Sequence, residues 1–260
     1  MADIGGFVNL PYIGPDNLEA ELSYFKRFVN NVEIVVDYPA GPHSLSDNDI
    51  KNIKALLDSL EFNAVIHAPF SFNFLLSPCK EIFEASLNDI KITSKIATEI
   101  DAKLVTVHLG IVSAYQKNSF SGLVSRAIRN LENISQEHGI DIAVENLDFK
   151  TGFKWGFPLT TEEMRIVEDT ELFVTLDTGH AFMRSVDVKG FLDTFRKKLR
   201  NIHIHDSNGE KAHLAIGKGD INFEKIFKKL RDIGYRGPAH IEVLERGDFE
   251  SSFRALNGLI

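Results

Sequence analysis

The feature that most constrains this chain is a regular alternation between short apolar runs and longer segments with helical spacing. Eight runs rich in Val, Ile, Leu and Phe are expected to form strands, at residues 4–10, 32–36, 64–67, 104–108, 142–145, 172–177, 202–205 and 239–243. After each run, apolar residues recur every three or four positions, as on a helix that buries one face. The expected helices span residues 17–29, 46–60, 79–100, 120–138, 160–169, 188–199, 222–234 and 249–260.

Eight strand–helix units in 260 residues are typical of an α/β protein folded as a (βα)8 TIM barrel, which usually needs about 250 residues. An open doubly wound sheet is the alternative, but it more often has about five or six strands and a glycine-rich nucleotide turn after the first strand. The sequence has no such turn, linker or low-complexity segment. We therefore expect residues 1–260 to form a single TIM-barrel domain.

Composition and charge exclude several classes of protein. The only cysteine is Cys79, so neither an intrachain disulfide nor a thiolate metal cage can form. The formal net charge is −8, and residues 10–17 and 37–49, which follow the first two strands, contain no Lys or Arg. Both features argue against nucleic acid as a partner. Because the apolar runs are too short to span a membrane and the N-terminus lacks a signal-peptide pattern, we expect a cytoplasmic protein without membrane partners. A homo-oligomer is left open.

Six successive strands, from the third to the eighth, end in a residue type that binds metals. These residues are His67, His108, Glu145, Asp177, His203 and Glu242. One such residue alone is more often a hydrogen-bonded polar group, but the strand ends of a barrel meet at one face, where all six would line one pocket. A divalent cation would satisfy several of these buried groups at once. The pattern therefore predicts a metal site for one or two ions of Zn, Mn, Fe or Co.

Two further histidines lie on the same strands. His205 follows His203 by two positions and so faces the same side of the strand, where it could reach the pocket or support Asp206. His240 precedes Glu242 by two positions, which places it deeper on the inner face. We expect His240 to be a polar residue of the barrel interior.

Seven motifs carry a resemblance to a known family. In chain order they are HAPF (67–70), VHLG (107–110), ENLD (145–148), LDTGHA (176–181), HIHDS (203–207), HLAIGKGDINF (213–223) and IEV (241–243). Together they resemble the xylose-isomerase-like TIM barrel superfamily, which includes sugar and sugar-phosphate isomerases and epimerases and also endonuclease IV. The resemblance implies one divalent metal ion, held by Glu145, Asp177, His203 and Glu242.

The endonuclease IV branch of that superfamily implies further ions. There, histidines matched by His67 and His108 hold a second ion, bridged by the strand-five glutamate. A third ion needs two histidines, matched by His180 and His213, and an aspartate whose place Lys211 takes in this chain. The replacement of an anionic ligand by a lysine weakens the hypothesis that this protein is an endonuclease.

The resemblance also implies roles for particular side chains. Glu145 and Glu242 would flank a substrate carbon, one removing and the other returning a proton, while the metal stabilises an enediolate. His180 and His213 are expected to contact substrate, His180 at a hydroxyl group. We therefore expect a sugar or sugar-phosphate isomerase or epimerase.

Two other residues are weaker candidates for substrate contacts. Trp155 could cover the carbon face of a sugar or simply pack, and Lys218 in GKGD could bind a phosphate or face solvent. Two other functions remain open. One is an endonuclease IV-like phosphodiesterase that cleaves DNA at abasic sites with two metal ions, and the other is a metal-holding barrel that binds without turnover.

Overall fold

The computed structural model describes residues 2–116 and 119–259, and its central feature is a closed barrel of eight parallel strands. The strands are β1 (Asp3–Asn9), β2 (Asn31–Val35), β3 (Asn63–His67), β4 (Leu104–Val107), β5 (Ile111–Ser113), β6 (Asp141–Glu145), β7 (Lys150–Thr151), β8 (Lys154–Gly156), β9 (Phe173–Asp177), β10 (Leu199–Ile204) and β11 (Pro238–Ile241). All except β5, β7 and β8 belong to the barrel, which closes because β1 pairs with both β2 and β11.

Helices surround the barrel. They are α1 (Leu10–Ile13), α2 (Leu18–Phe25), α3 (Asp47–Ser59), α4 (Lys80–Glu99), α5 (Phe120–His138), α6 (Thr161–Met164), α7 (Thr178–Met183), α8 (Val188–Phe195), α9 (Phe223–Asp232) and α10 (Arg246–Leu256). Phe25 of α2 and Phe249 of α10 lie edge to face with ring centroids 4.7 Å apart, so the first and last long helices pack together. Among the helices in the described part of the chain, none has the length and apolar character needed to cross a bilayer.

The predicted (βα)8 barrel is confirmed, with differences at the element boundaries. The first strand ends at Asn9 rather than at residue 10, because the Asn9 side chain accepts a hydrogen bond from Tyr12 N–H and starts α1. The helix expected at 160–169 is a short α6 followed by a 3-10 turn at Arg165–Val167. The helix expected at 188–199 ends at Phe195, since Leu199 already pairs with Val174 in the barrel. Residue 260 of the last predicted helix lies outside the described residues.

A small antiparallel sheet of β5, β8 and β7 was not predicted from the sequence. Its strands have two or three residues each, which is too short for an alternating pattern of apolar and polar residues to be recognised. Trp155 lies in this sheet, opposite Val112 of β5.

A layer of polar side chains fills the barrel beneath the strand ends. Its members are Glu33, Thr106, Thr175, Asn201 and His240, all fully buried. Asn201 Nδ2 donates to Glu33 Oε2 at 2.9 Å, and the hydroxyls of Thr106 and Thr175 are 3.1 Å apart. All members except Glu33 precede a strand-end candidate by two positions, so both residues of each pair face inward. The expectation that His240 belongs to the interior is met.

We expect Gly5→Ala to destabilise the barrel. A Cβ at Gly5 would lie 2.3 Å from His240 Cδ2 and 3.0 Å from the carbonyl oxygen of Asn31, so the barrel would be overpacked. The free energy of unfolding, measured in urea, should fall by about 1–3 kcal/mol. Gly122→Ala in α5 is the control, because its added Cβ would meet nothing within 4 Å and should stabilise the helix by up to about 1 kcal/mol. Equal effects of the two substitutions would contradict this account of the interior.

Candidate metal centre and active site

Four of the predicted residues converge at the carboxyl-end face of the barrel. Glu145 ends β6, Asp177 ends β9, His203 is next to the last residue of β10 and Glu242 directly follows β11. Asp177 and His203 are register partners on adjacent strands, which brings their side chains together. Each of the four offers one ligand atom, and these atoms all lie within 4.8 Å of one another. The side chains are almost fully buried, Glu242 being the most exposed at 15%.

The atoms at the centre of this group lack hydrogen-bond partners. His203 Nδ1 lies 3.0 Å from Glu242 Oε2 and 3.2 Å from Glu145 Oε1, yet neither Nδ1 nor Glu242 Oε2 has a hydrogen bond in suitable geometry. Buried polar atoms without partners are costly. One imidazole nitrogen and three carboxylates around a common point form a ligand set that suits a divalent cation. The residues present therefore fit the metal that the sequence pattern predicts.

The electrostatics of the group also suit a cation. Burial alone would raise the carboxyl pKa values, but the charges of neighbouring histidines hold the pKa of Glu145 well below its usual range and also lower the pKa of Asp177 and Glu242. Burial opposes the charged form of His180, but Asp177 and Glu145 raise its pKa to about 10. The clustered carboxylates thus draw protons onto the imidazoles, and a bound metal ion would take the place of such protons.

The two outer histidines meet the same glutamate. His67 Nε2 and His108 Nε2 each lie 3.1 Å from Glu145 Oε2, while the other oxygen of Glu145 faces His203. His67 Nδ1 lies 2.8 Å from the carbonyl oxygen of Ala68 and donates to it, so Nε2 is the nitrogen free to meet the carboxylate or an ion. The structure therefore brings together all six strand-end candidates, with Glu145 between the outer pair and the other three.

A third group contains three histidines. His180, His205 and His213 each offer a nitrogen within 4.8 Å of the others. His205 Nε2 is 2.9 Å from Asp177 Oδ2, and its Nδ1 accepts from His213 N–H at 2.8 Å. The sequence left open whether His205 reaches the pocket or supports Asp206, and in the structure His205 contacts the metal-ligand candidate Asp177. The glycine of the DTGH motif allows this approach, because a Cβ at Gly179 would lie 1.9 Å from His205 Cε1.

A cavity of about 300 Å³ opens onto the carboxylates and histidines. Its wall includes Glu145, Glu242, His67, His108, His180 and His213, together with the apolar side chains of Phe7, Phe70, Val243 and Leu244. Trp155 and Lys218 are not among its lining residues. Trp155 instead packs half-buried against the core, and Lys218 Nζ donates to Asp248 Oδ1 at 2.7 Å on the surface. The position of Trp155 and Lys218 outside the cavity wall therefore does not support the expectation that they contact substrate.

The GKGD loop that carries Lys218 is held by a buried carboxylate. Four backbone N–H groups donate to Asp206, those of Ser207, Gly217, Gly219 and Ile221, at 2.8–3.1 Å. A Cβ at Gly219 would lie 2.4 Å from the carbonyl oxygen of Ser207, so glycine is required for this close approach. The HIHDS and GKGD motifs therefore fix the loop after β10, and the lysine between the two glycines faces away from the cavity.

Two supporting residues were missed by the sequence analysis. Asn146 accepts from Asp177 N–H at 2.8 Å and donates to Asp177 C=O at 3.0 Å, which ties the ends of β6 and β9 together. Glu33 lies 2.8 Å from His203 Nε2. Both residues could have been recognised from the sequence. Asn146 in ENLD and Glu33 in VEIVV are polar residues at positions where the apolar pattern predicts burial, and a buried polar group needs a partner.

The family model of xylose isomerase-like TIM barrels matches residues 29–258, and the chain belongs to this family. The uncharacterized protein MJ1614 of Methanocaldococcus jannaschii is 32% identical over 84% of this chain and 83% of its own length. Fructoselysine 3-epimerase of Escherichia coli O157:H7 is 23% identical over 78% of each chain. Probable endonuclease 4 of Listeria welshimeri serovar 6b is 26% identical over 73% of this chain and 70% of its own.

A solved structure agrees over almost the whole chain. The crystal structure of a D-tagatose 3-epimerase-like protein has 28% sequence identity and a TM-score of 0.85. The match covers 99% of this chain and 96% of that chain. The family that the motifs resemble is thus confirmed by both sequence and fold.

We expect Asp206→Asn to loosen the loop after β10. Either orientation of the amide would turn its NH2 group toward two backbone N–H donors, which would lose their acceptor. The free energy of unfolding should fall by at least about 2 kcal/mol, measured by urea denaturation. Asp248→Asn is the control, because it removes only the negative charge paired with the exposed Lys218 and should cost less than about 1 kcal/mol. A large loss of stability in Asp248→Asn and none in Asp206→Asn would contradict the role of Asp206 in holding the loop.

Proposed function

We propose that this protein is a divalent-metal-dependent sugar isomerase or epimerase. The observation that carries the proposal is the convergence of Glu145, Asp177 and Glu242 on His203 Nδ1 without hydrogen bonds among them. The similarity to fructoselysine 3-epimerase and to the D-tagatose 3-epimerase-like structure supports the same conclusion. These four residues would hold the metal. A bound divalent cation supplies positive charge that polarises a substrate carbonyl and makes the adjacent carbon acid.

The two glutamates are suited to opposite halves of a proton transfer. Both line the cavity and both have carboxyl pKa values below the usual range, so they are ionised and able to accept a proton. One carboxylate would remove the proton from a substrate carbon, and the other would return a proton to the same or the neighbouring carbon. His180 and His213, in the same wall, can hydrogen-bond sugar hydroxyls, while Phe7 and Phe70 can cover the apolar face of the sugar.

The charge of the cavity favours an uncharged sugar over a sugar phosphate. Among the described residues that line it, two are carboxylates and none is Lys or Arg. A phosphate group would find no guanidinium or ammonium group to bind among these residues. A volume of about 300 Å³ is at the small end of ligand cavities, which suits a monosaccharide.

We expect Glu145→Ala to abolish stoichiometric metal binding. Glu145 contacts His203 with one oxygen and the His67–His108 pair with the other, so its loss removes a ligand from every proposed ion. Metal per chain, measured by elemental analysis after dialysis, should fall from one or two to near zero. Glu132→Ala, in α5 and not among the cavity's lining residues, is the matched control and should retain the wild-type metal content. Wild-type metal content in Glu145→Ala would contradict the proposed centre.

We expect carbon-bound hydrogen of a sugar substrate to exchange with deuterated water during turnover, and Glu242→Gln to suppress that exchange. The substitution is nearly isosteric but removes the carboxylate that accepts the proton, so the rate should fall by about 100-fold or more. Exchange is followed by NMR or mass spectrometry over a panel of sugars and sugar phosphates. Asp248→Asn, at a residue that does not line the cavity, should leave the rate unchanged.

A dinuclear phosphodiesterase remains the second candidate, because His67 and His108 share one oxygen of Glu145 and because a probable endonuclease 4 is a relative. His67→Ala and His108→Ala separate the two functions. A single-ion isomerase should lose little activity in either variant, whereas a two-ion hydrolase should lose most of it. Cleavage of abasic-site DNA that collapses in both variants, together with no hydrogen exchange on any sugar, would reject the isomerase in favour of the hydrolase.

A further inference from the structure

A fully buried carboxylate lies beneath the proposed metal centre and has no part in the proton transfer. Glu33 stands in the middle of β2 and is 0% exposed. Its side chain reaches across the barrel to β10, where Oε2 lies 2.8 Å from His203 Nε2. Burial of an ionised carboxylate is costly in a layer that neutral groups such as the Thr106–Thr175 pair could fill. Its presence calls for a reason beyond packing.

Two side chains of β10, His203 and Asn201, hydrogen-bond to one oxygen of Glu33. Asn201 Nδ2 donates to Oε2 at 2.9 Å, and Oε1 has no hydrogen-bond partner. His240 Nδ1 also lies 3.1 Å from Oε2, but its hydrogen bond goes to Asn201 Oδ1 at 2.9 Å. The carboxylate is therefore held by neighbours on β10. His203 sits between two sets of acids, with Glu33 at Nε2 and the carboxylates of the proposed centre at Nδ1.

We infer that Glu33 is a positioning residue that fixes the tautomer of His203, and this inference rests on the proposed metal centre. A neutral imidazole has one nitrogen that donates and one that accepts, and an ionised carboxylate can only accept. Glu33 therefore keeps the proton on Nε2 and leaves the lone pair of Nδ1 directed at the point where Glu145 and Glu242 meet. Its negative charge also makes that lone pair a stronger metal ligand.

Two substitutions separate the charge of Glu33 from its role as an acceptor. Glu33→Leu removes both at similar volume, and its affinity for Zn²⁺ should fall by roughly 100-fold, the upper end of the range for residues that orient a metal ligand. Glu33→Gln keeps an acceptor oxygen and loses the charge, so its affinity should fall by about tenfold. Thr106→Val is the control: it alters the same layer without touching His203 and should bind within about threefold of wild type. Affinity is measured by competition with a chelator.

A second readout reports the tautomer itself. In zinc-loaded protein labelled with ¹⁵N-histidine, long-range ¹H–¹⁵N correlations should place the proton of His203 on Nε2 in the wild type, in Thr106→Val and in Glu33→Gln. In Glu33→Leu this pattern should be lost or mixed with the other tautomer. A loss of stability alone would not change the tautomer, so this measurement distinguishes positioning from packing.

Failure of this inference is distinguishable from failure of the proposed function. If wild-type protein binds no metal, the proposed centre is wrong and the inference falls with it. If wild type binds Zn²⁺ and Glu33→Leu binds it as tightly with the same His203 tautomer, the positioning role is rejected and the centre stands. Should Glu33→Leu fail to fold, wild-type affinity in Glu33→Gln would overturn the inference.

Discussion

The central physical constraint on this site is the repulsion among three carboxylates that the barrel holds close together at its carboxyl-end face. Oxygen atoms of Glu145, Asp177 and Glu242 lie within 4.8 Å of one another and of His203 in a site almost closed to water. At that separation and burial, like charges repel strongly, and neutralising charge must come from protonated imidazoles or from a cation. The histidines around the group are the chain's own means of balancing this charge.

The barrel stabilises this cluster of charges because it places each carboxylate on a different strand. Each acid comes from a different strand end, so the backbone hydrogen bonds of the barrel, rather than the side chains, hold the charges together. Beneath them, the layer of Glu33, Asn201 and His240 supports His203, and above them the Asn146 amide joins two strands at Asp177. The residues that support the charged centre are buried and make hydrogen bonds of their own, which favours a fixed geometry.

The sequence predicts the barrel and the strand-end residues because both follow from simple periodicities. Helical spacing and apolar runs mark the elements, and the last polar residue of each run marks the inner rim. The sequence could not predict that Glu33 meets His203, since 170 positions separate them and only barrel closure brings β2 opposite β10. It also could not show that Lys218 turns outward, because that depends on how Asp206 gathers the backbone of its loop.

The two oxygens of Glu145 connect the number of bound ions to the reaction. Oε1 faces His203 and His180, whereas Oε2 faces His67 and His108. A proton acceptor needs a carboxylate oxygen with a free lone pair directed at the substrate. With ions on both sides, both oxygens of Glu145 would be engaged as ligands and the base would be lost, while the added positive charge would suit phosphoester hydrolysis. With one ion held beside Oε1, Oε2 would contact only the imidazoles of His67 and His108 and could accept a proton. For the function proposed above, proton transfer by Glu145 would therefore require that one of its two oxygens is not held by an ion.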